Sequence, residues 1–235
     1  MEKIISSILD FVDKHHHQRA INKVLVGLEL KTIVDIGAHK GEFLMNIISL
    51  KKKVSVYCFE PQSKIFKELK NNLKKKKNVF FYNLAISNVI KDKRLNINIK
   101  TSTSTFSDYN ENSYWKKIKD FLLTGINKSS IVSSEMVKSI TLDKFSKNNN
   151  IRNIDLLKID TEGHELEVLL GSKNLLKKNV NYILIEFHFS KIYKNYNRNK
   201  IEKILKSNNF ILIKKFKFPF LTFEDRIYKK HHTNQ

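Results

Sequence analysis

Cysteine, proline, glycine and arginine are all scarce in this chain of 235 residues. The single cysteine, Cys58, excludes an intramolecular disulfide framework and a cysteine-rich zinc site. There are only two prolines, Pro61 and Pro219, and no repeat or low-complexity linker divides the sequence. No uninterrupted apolar run approaches the roughly 20 residues needed to span a bilayer. The opening stretch Met1-Glu2-Lys3-Ile4-Ile5-Ser6-Ser7-Ile8-Leu9-Asp10 lacks an apolar segment long enough for a secretory signal. The expected location is therefore the cytoplasm. A chain of this length can bury a full core as one domain.

Negative charge is also short. Lys and Arg number 44 against 23 Asp and Glu, a formal net charge of +21, yet only five of the cations are arginine. Chains that grip phosphate usually use the bidentate guanidinium fork as well. Lys, Asn and Ile share AT-rich codons, so the excess reads first as a compositional bias. The second reading is an anionic partner, a nucleic acid, a membrane surface or an anionic glycan, attracted by counterion release and charge. The run Lys74-Lys75-Lys76-Lys77 fits a solvated helix end, where cations offset the helix dipole.

What is present is a regular alternation of strand and helix signals. Ile4, Ile5, Ile8, Leu9 and Val12 have helical spacing over residues 2–28, an extra helix expected to pack on the core. His15, His16 and His17 are consecutive, so they point apart on a helix and read as a solvated face. Strands are expected at Lys31–Ile36, Val54–Phe59, Val79–Ile86, Ile154–Asp160 and Tyr182–Phe189, with an exposed extra strand at Leu95–Ile99. Helices are expected at Gly41–Leu50, from Pro61 to about Lys77, just after Asp143, at Glu165–Leu176 and at Arg198–Ser207. Phe210–Phe216 and Leu221–Tyr228 close the chain as a strand pair around Pro219. Residues 101–134 are rich in Ser, Thr and Asn with a few aromatics and read as a partly ordered loop or lid. The pattern implies an α/β fold, a mostly parallel, doubly wound sheet of seven strands with an antiparallel last strand. The expected division is an N-terminal helical extension at 1–30 and one domain at 31–235.

Two motifs on these elements carry chemistry. Asp35-Ile36-Gly37-Ala38-His39-Lys40-Gly41 places two of the six glycines at the end of the first strand, where backbone can approach a ligand and a helix N-terminus follows. The spacing is not the G-x-G-x-x-G of a dinucleotide site. Asp35 would repel a pyrophosphate but suits an amino or sulfonium group. Phe59-Glu60-Pro61 ends the second strand about 20 residues on, the place for an acid that accepts bonds from ribose hydroxyls. Asn83-Leu84-Ala85 ends the third, where an adenine edge would lie.

These segments, with Thr141-Leu142-Asp143, the block Ile154-Asp155-Leu156-Leu157-Lys158-Ile159-Asp160-Thr161-Glu162-Gly163-His164-Glu165, Leu169-Leu170-Gly171-Ser172 and Ile185-Glu186-Phe187-His188, resemble the FkbM methyltransferases, in that order, over residues 31–190. Ser87 departs from the pattern, which more often has glycine there. The resemblance implies a Rossmann-like class I methyltransferase, S-adenosylmethionine as methyl donor and a hydroxyl acceptor on a sugar, glycan or other small metabolite. Donor contacts are then expected from Asp35, Gly37, Ala38, His39, Gly41, Glu60, Pro61, Asn83, Ala85 and Asp160.

Methyl transfer to oxygen depends on positioning, on desolvation and on a base within reach of the hydroxyl proton. Asp160, Glu162 and His164 follow the fourth strand; Glu186 and His188, two apart, share one face of the fifth. All five are candidates for the reacting end of the crevice. Capping of the next helix is the competing role for the acids. Asp160 and Glu162 have the oxygens for a hard cation, but further acidic ligands are missing, so no metal is expected. A second enzymatic reading is RNA ribose 2′-O-methylation with Asp160, Glu186 and two lysines as a charged tetrad. Base N-methylation is disfavoured, since two isolated prolines cannot form an Asp-Pro-Pro or Asn-Pro-Pro turn. A binding module without catalysis conflicts with so many acids at one crevice.

Overall fold

The computed structural model describes residues 17–51, 53–124, 129–189, 191–217 and 223–231. Within them the chain runs α1 (Gln18–Val26), β1 (Thr32–Ile36), α2 (Glu42–Leu50), β2 (Ser55–Phe59), α3 (Ser63–Leu73), β3 (Val79–Tyr82), β4 (Ala85–Ile86), β5 (Asp92–Asn98) and a 3-10 turn (Thr101–Thr103). It continues through α4 (Tyr114–Thr124), β6 (Ile131–Ile140), α5 (Leu142–Asn148), β7 (Ile154–Ile159), α6 (Glu165–Leu170), α7 (Lys173–Lys178), β8 (Val180–His188), α8 (Arg198–Ser207), β9 (Phe210–Lys217) and β10 (Phe223–Lys230).

Runs that are apolar at every position cannot leave one face wet, so they become strands covered on both sides. The period of two then divides each run between two cores. Val34, Leu157, Ile183 and Ile185 face one apolar layer, while their neighbours Ile33, Leu156 and Leu184 face the other. The seven strands lie in the order β3-β2-β1-β7-β8-β10-β9. β2, β1, β7 and β8 pair in parallel, with β3 on β2, and β10 is antiparallel to both β8 and β9. The doubly wound sheet with its antiparallel last strand is therefore as the sequence implies. α1 buries Ile21 and Leu25 in the same layer as Leu44 and Ile47 of α2. The order of strands reverses between β1 and β7, and a crevice opens there beyond their carboxyl ends.

Several boundaries differ from the sequence expectation, each for a local reason. The run 79–86 is two strands: Ala85–Ile86 leaves the main sheet and pairs with Ser139–Ile140 in a small sheet of order β4-β6-β5. The helix α4 lies inside the expected loop 101–134, and β6 begins in its last four residues. Pro61 precedes the helix rather than opening it, since α3 begins at Ser63 and ends at Leu73. The helix expected at Glu165–Leu176 is broken at Gly171 and Ser172. His17 is buried, with Nε2 2.7 Å from Asp225 Oδ2, rather than solvated; His15, His16 and the first helical positions lie outside the described residues.

Candidate active site

A cleft of about 790 Å³ sits at the crevice, walled mainly by residues 36–40, 59–62, 84–86, 99–102, 104, 106, 158, 160–162 and 164. A smaller hollow of about 490 Å³ near Lys31, Asp155 and Lys230 lies at the opposite end of the strands and gathers no such constellation.

The cleft floor is made where β1 and β7 nearly touch. A Cβ on Gly37 would stand 1.8 Å from the carbonyl oxygen of Asp160, and its φ is +84°, so only glycine fits. The amides of Gly37 and Ala38 both donate to the Phe59 carbonyl at 3.0 Å, which folds the turn against the end of β2. Glu60 completes that turn. Its Oε2 accepts from the His39 amide at 2.9 Å and its Oε1 from the Gln62 amide at 2.8 Å. Burial pushes its pKa up to about 7, against the lowering by the Gln62 amide and by His39. Asn83 does not reach the cleft wall; its Nδ2 donates to the carbonyls of Glu60 and Pro61 at 2.9 Å, clamping the turn. Gly37, Ala38, His39, Glu60, Pro61 and Ala85 do line the cleft, whereas Gly41 only heads α2.

Asp35 is the clearest departure among the expected donor contacts. It is fully buried and off the cleft wall. A Lys158 ammonium lies 3.3 Å from its Oδ1 and 3.0 Å from Oδ2 of Asp160, whose side chain is 41% exposed. Burial raises the Asp35 pKa, partly offset by Lys158. Burial would lower Lys158, but the carboxylates of Asp160 and Asp35 hold it well above the usual range. Asp35 thus fixes a lysine, and the lysine aims Asp160. Of the two carboxylates, only Asp160 lines the cleft.

Glu162 lines the cleft in a left-handed conformation, φ +51°, and Gly163 follows at +96°. Its Oε2 accepts from the Tyr193 hydroxyl at 2.6 Å, and Lys119 Nζ stands 3.9 Å away. Its carbonyl is bonded by Thr105 Oγ1 at 2.5 Å. Loop 101–107 is therefore tied down: His39 Nε2 meets Thr101 Oγ1 at 2.9 Å and Ser107 Oγ donates to the Gly163 carbonyl at 2.8 Å. His164 also lines the cleft. Burial, then Lys93, drives its pKa down to about 3, so it is a neutral imidazole held by Ser87 Oγ (3.1 Å) and Lys93 Nζ (3.2 Å). Ser87, the departure from the family's glycine, thus serves a buried polar cluster.

Glu186 and His188 are buried behind this wall, not on it. Glu186 Oε2 and His188 Nε2 are 3.1 Å apart. Burial would lower the His188 pKa, but Glu186 raises it to about 10. The His188 ring packs edge-on against Tyr193 and Tyr196. Lys158, Tyr193 and Glu165 are parts of the site that sequence reasoning left without a role. Lys158 alone carried a signal, two positions before Asp160 on the same strand face; Tyr193 comes from a loop without a pattern.

The arrangement offers a close-approach backbone turn, a buried acid at the end of β2, an exposed carboxylate at the end of β7, and a Tyr–Glu pair beside them. That is a site for a nucleoside carrying an amino acid, with room for a second molecule. Comparison with known proteins agrees. Residues 35–212 match the Methyltransferase FkbM domain. A hexuronic acid methyltransferase of Haloferax volcanii is 38% identical over 64 residues, 27% of this chain and 26% of its own length. A 2-O-methyltransferase, NoeI, of Sinorhizobium fredii is 22% identical over 68% of this chain and 65% of its own. The crystal structure of an FkbM methyltransferase from Methylobacillus flagellatus superposes at TM-score 0.54 with 13% identity, covering 85% of this chain and 43% of that one. Aeropyrum pernix fibrillarin with bound S-adenosylmethionine shares the fold at TM-score 0.50 and 10% identity, over 89% of this chain and 74% of that one. The chain spans less than two thirds of the length of both curated relatives and of the FkbM structure. With more than half of its length matched by the family model, the chain belongs to the FkbM methyltransferase family.

Proposed function

We propose that this methyltransferase moves the methyl group of S-adenosylmethionine to a hydroxyl of a sugar or glycan acceptor. The observation that carries the donor is the pairing of Glu60 with the Gly37 turn on one cleft wall: a buried acid with both oxygens anchored by backbone amides, beside a glycine, which has no side chain. Glu60 would take the ribose hydroxyls, Asp160 the amino group, and Ala85 with Ile86 the adenine. A sugar-type acceptor is supported by the two relatives named for a hexuronic acid and for 2-O-methylation. Those names belong to those proteins, and the acceptor here is our reading.

Glu162 would take the proton. As the acceptor oxygen bonds to the methyl carbon, the carbon–sulfur bond breaks and its electron pair stays on sulfur. The hydroxyl proton passes to the Glu162 carboxylate, which Tyr193 orients through the 2.6 Å bond. The alternative tetrad of Asp160, Glu186 and two lysines is not favoured, because Glu186 is off the cleft wall and Lys158 is engaged by Asp35 and Asp160.

The test is ligand-dependent melting. At S-adenosylmethionine about a hundredfold above its Kd, the fold should gain roughly 2.7 kcal/mol. A flat melting temperature up to millimolar donor refutes the donor assignment. Isotopically labelled donor with candidate glycans, and with RNA as the competing acceptor, then reads which product carries the methyl group.

A further inference from the structure

Behind the cleft wall, where β8 ends and α6 begins, Glu165, Glu186 and His188 meet. One ligand atom from each lies within 4.8 Å of the others, the one such cluster among the described residues. The residues are 0%, 7% and 8% exposed. Glu165 spends Oε1 on the Thr161 amide, the Thr161 hydroxyl and the Gly163 amide, at 3.0, 3.0 and 3.1 Å. Its Oε2 is buried and makes no hydrogen bond, and the same holds for Glu186 Oε2 and His188 Nε2. Those last two approach each other to 3.1 Å, and among the described residues nothing else bonds to them. Among the described residues no lysine or arginine pairs with Glu165 or Glu186; the nearby Lys158 and Lys119 are engaged with Asp35, Asp160 and Glu162.

Two buried carboxylates and one imidazole converging with no lysine or arginine to balance them call for a cation. We propose that Glu165, Glu186 and His188 bind a divalent transition-metal ion. A bond length of about 2.1 Å to each ligand puts two ligands at a right angle about 3 Å apart, which the Glu186–His188 pair already meets. Opposed ligands would stand about 4.2 Å apart, so a pair at the 4.8 Å limit closes by about 0.6 Å. Two carboxylates and a neutral imidazole balance a dication, which would take the place of the proton shared by His188 and Glu186. Magnesium and calcium prefer all-oxygen shells, whereas an imidazole among the ligands suits zinc, iron, cobalt or manganese. These are not the residues, Asp160 and Glu162, whose lack of further ligands led the sequence to promise no metal. The ion would join the end of β8 to the 161–163 loop that Glu165 holds with its other oxygen, and so fix Glu162.

The test uses the full chain, stripped by a chelator and titrated with cobalt as a spectroscopic probe. A visible absorption band saturating at about one equivalent is expected, with zinc displacing it and the melting temperature rising by several degrees. Glu165→Gln and His188→Gln should each weaken cobalt binding by about tenfold or more. A stripped protein that gives neither a band nor a melting shift with cobalt, zinc or manganese overturns the proposal. So does a band unchanged in both variants, which would place the ion on other histidines. Should either variant fail to fold, the wild-type titration alone decides. None of these readings involves methyl transfer, so they stand or fall apart from the proposed function.

Discussion

Glu162 holds an uncommon backbone conformation for a residue with a Cβ, and the structure supports it from three sides. Thr105 grips its carbonyl, Tyr193 its carboxylate, and the glycine after it absorbs the next turn. Such strain is retained where a side chain must point one way. Glu162→Gln should therefore keep donor affinity and melting temperature while turnover falls by roughly 10²–10⁴-fold. Tyr193→Phe should lower turnover less, by about tenfold, as one orienting hydrogen bond of about 1–1.5 kcal/mol is lost. If the Gln variant loses stability but turns over normally per folded molecule, Glu162 is only a loop support. His164 carries a second, pH-dependent expectation. Its folded pKa is about 3, while the unfolded side chain takes up a proton near 6.5. Between those values the unfolded state binds more protons, so stability is present above about pH 6.5 and falls as the pH drops. The slope is at most about 1.4 kcal/mol per pH unit. Denaturant midpoints of wild type and His164→Gln, measured at pH 7, 6 and 5, should converge as the pH falls; parallel curves would mean that His164 titrates freely. The donor turn was legible in sequence because Asp35 to Gly41 and Glu60 are contiguous strand ends. Tyr193 and Lys119 were not, since one arrives from a distant loop and the other from α4, and each serves through a single contact with Glu162.

At the scale of elements, apolar runs were read correctly and camouflaged ones were missed. β1, β2, β7 and β8 are buried on both faces, so their sequences announce them. β6 buries only Val137 and Ser139, and Val132, Ser133 and Ser134 are all exposed, so the period of two carries little hydrophobic contrast. α4 was missed for a different reason. Its inner face uses Lys116, 1% exposed, bonded to Asp120 and lying 5.0 Å from the Tyr109 ring, where an apolar stripe would be expected. The break between α6 and α7 comes from one contact. A Cβ on Gly171 would lie 2.0 Å from the carbonyl oxygen of Ser87, so the chain there presses backbone on backbone. Gly171→Ala should cost about 1–3 kcal/mol of stability, because neither carbonyl nor helix end can move without disturbing the Ser87–His164 cluster. Urea midpoints check this, and a neutral substitution would show that the two segments slide freely.

For the whole molecule the open issue is whether the net charge of +21 has a partner. The placement of the lysines argues against a single binding face. Lys74, Lys75, Lys76 and Lys77 are exposed at the end of α3, which packs by β3 at one edge of the sheet. Lys214, Lys215 and Lys217 are exposed on β9, the opposite edge. On β9 they also guard an unpaired strand edge against pairing with other chains. Charge spread in this way repels itself in the folded state more than in the expanded one. Screening should relieve that repulsion, since the Debye length shrinks to about 10 Å at 0.1 M salt. The melting temperature should therefore rise between about 20 and 300 mM sodium chloride, scales on either side of that length. Heparin or RNA added at constant ionic strength should bring no further rise. A polyanion that stabilises the fold at one molecule per chain beyond what salt achieves would overturn this view. It would mean that lysines from both edges reach one continuous anionic ligand, and an anionic polymer would then return as a candidate partner.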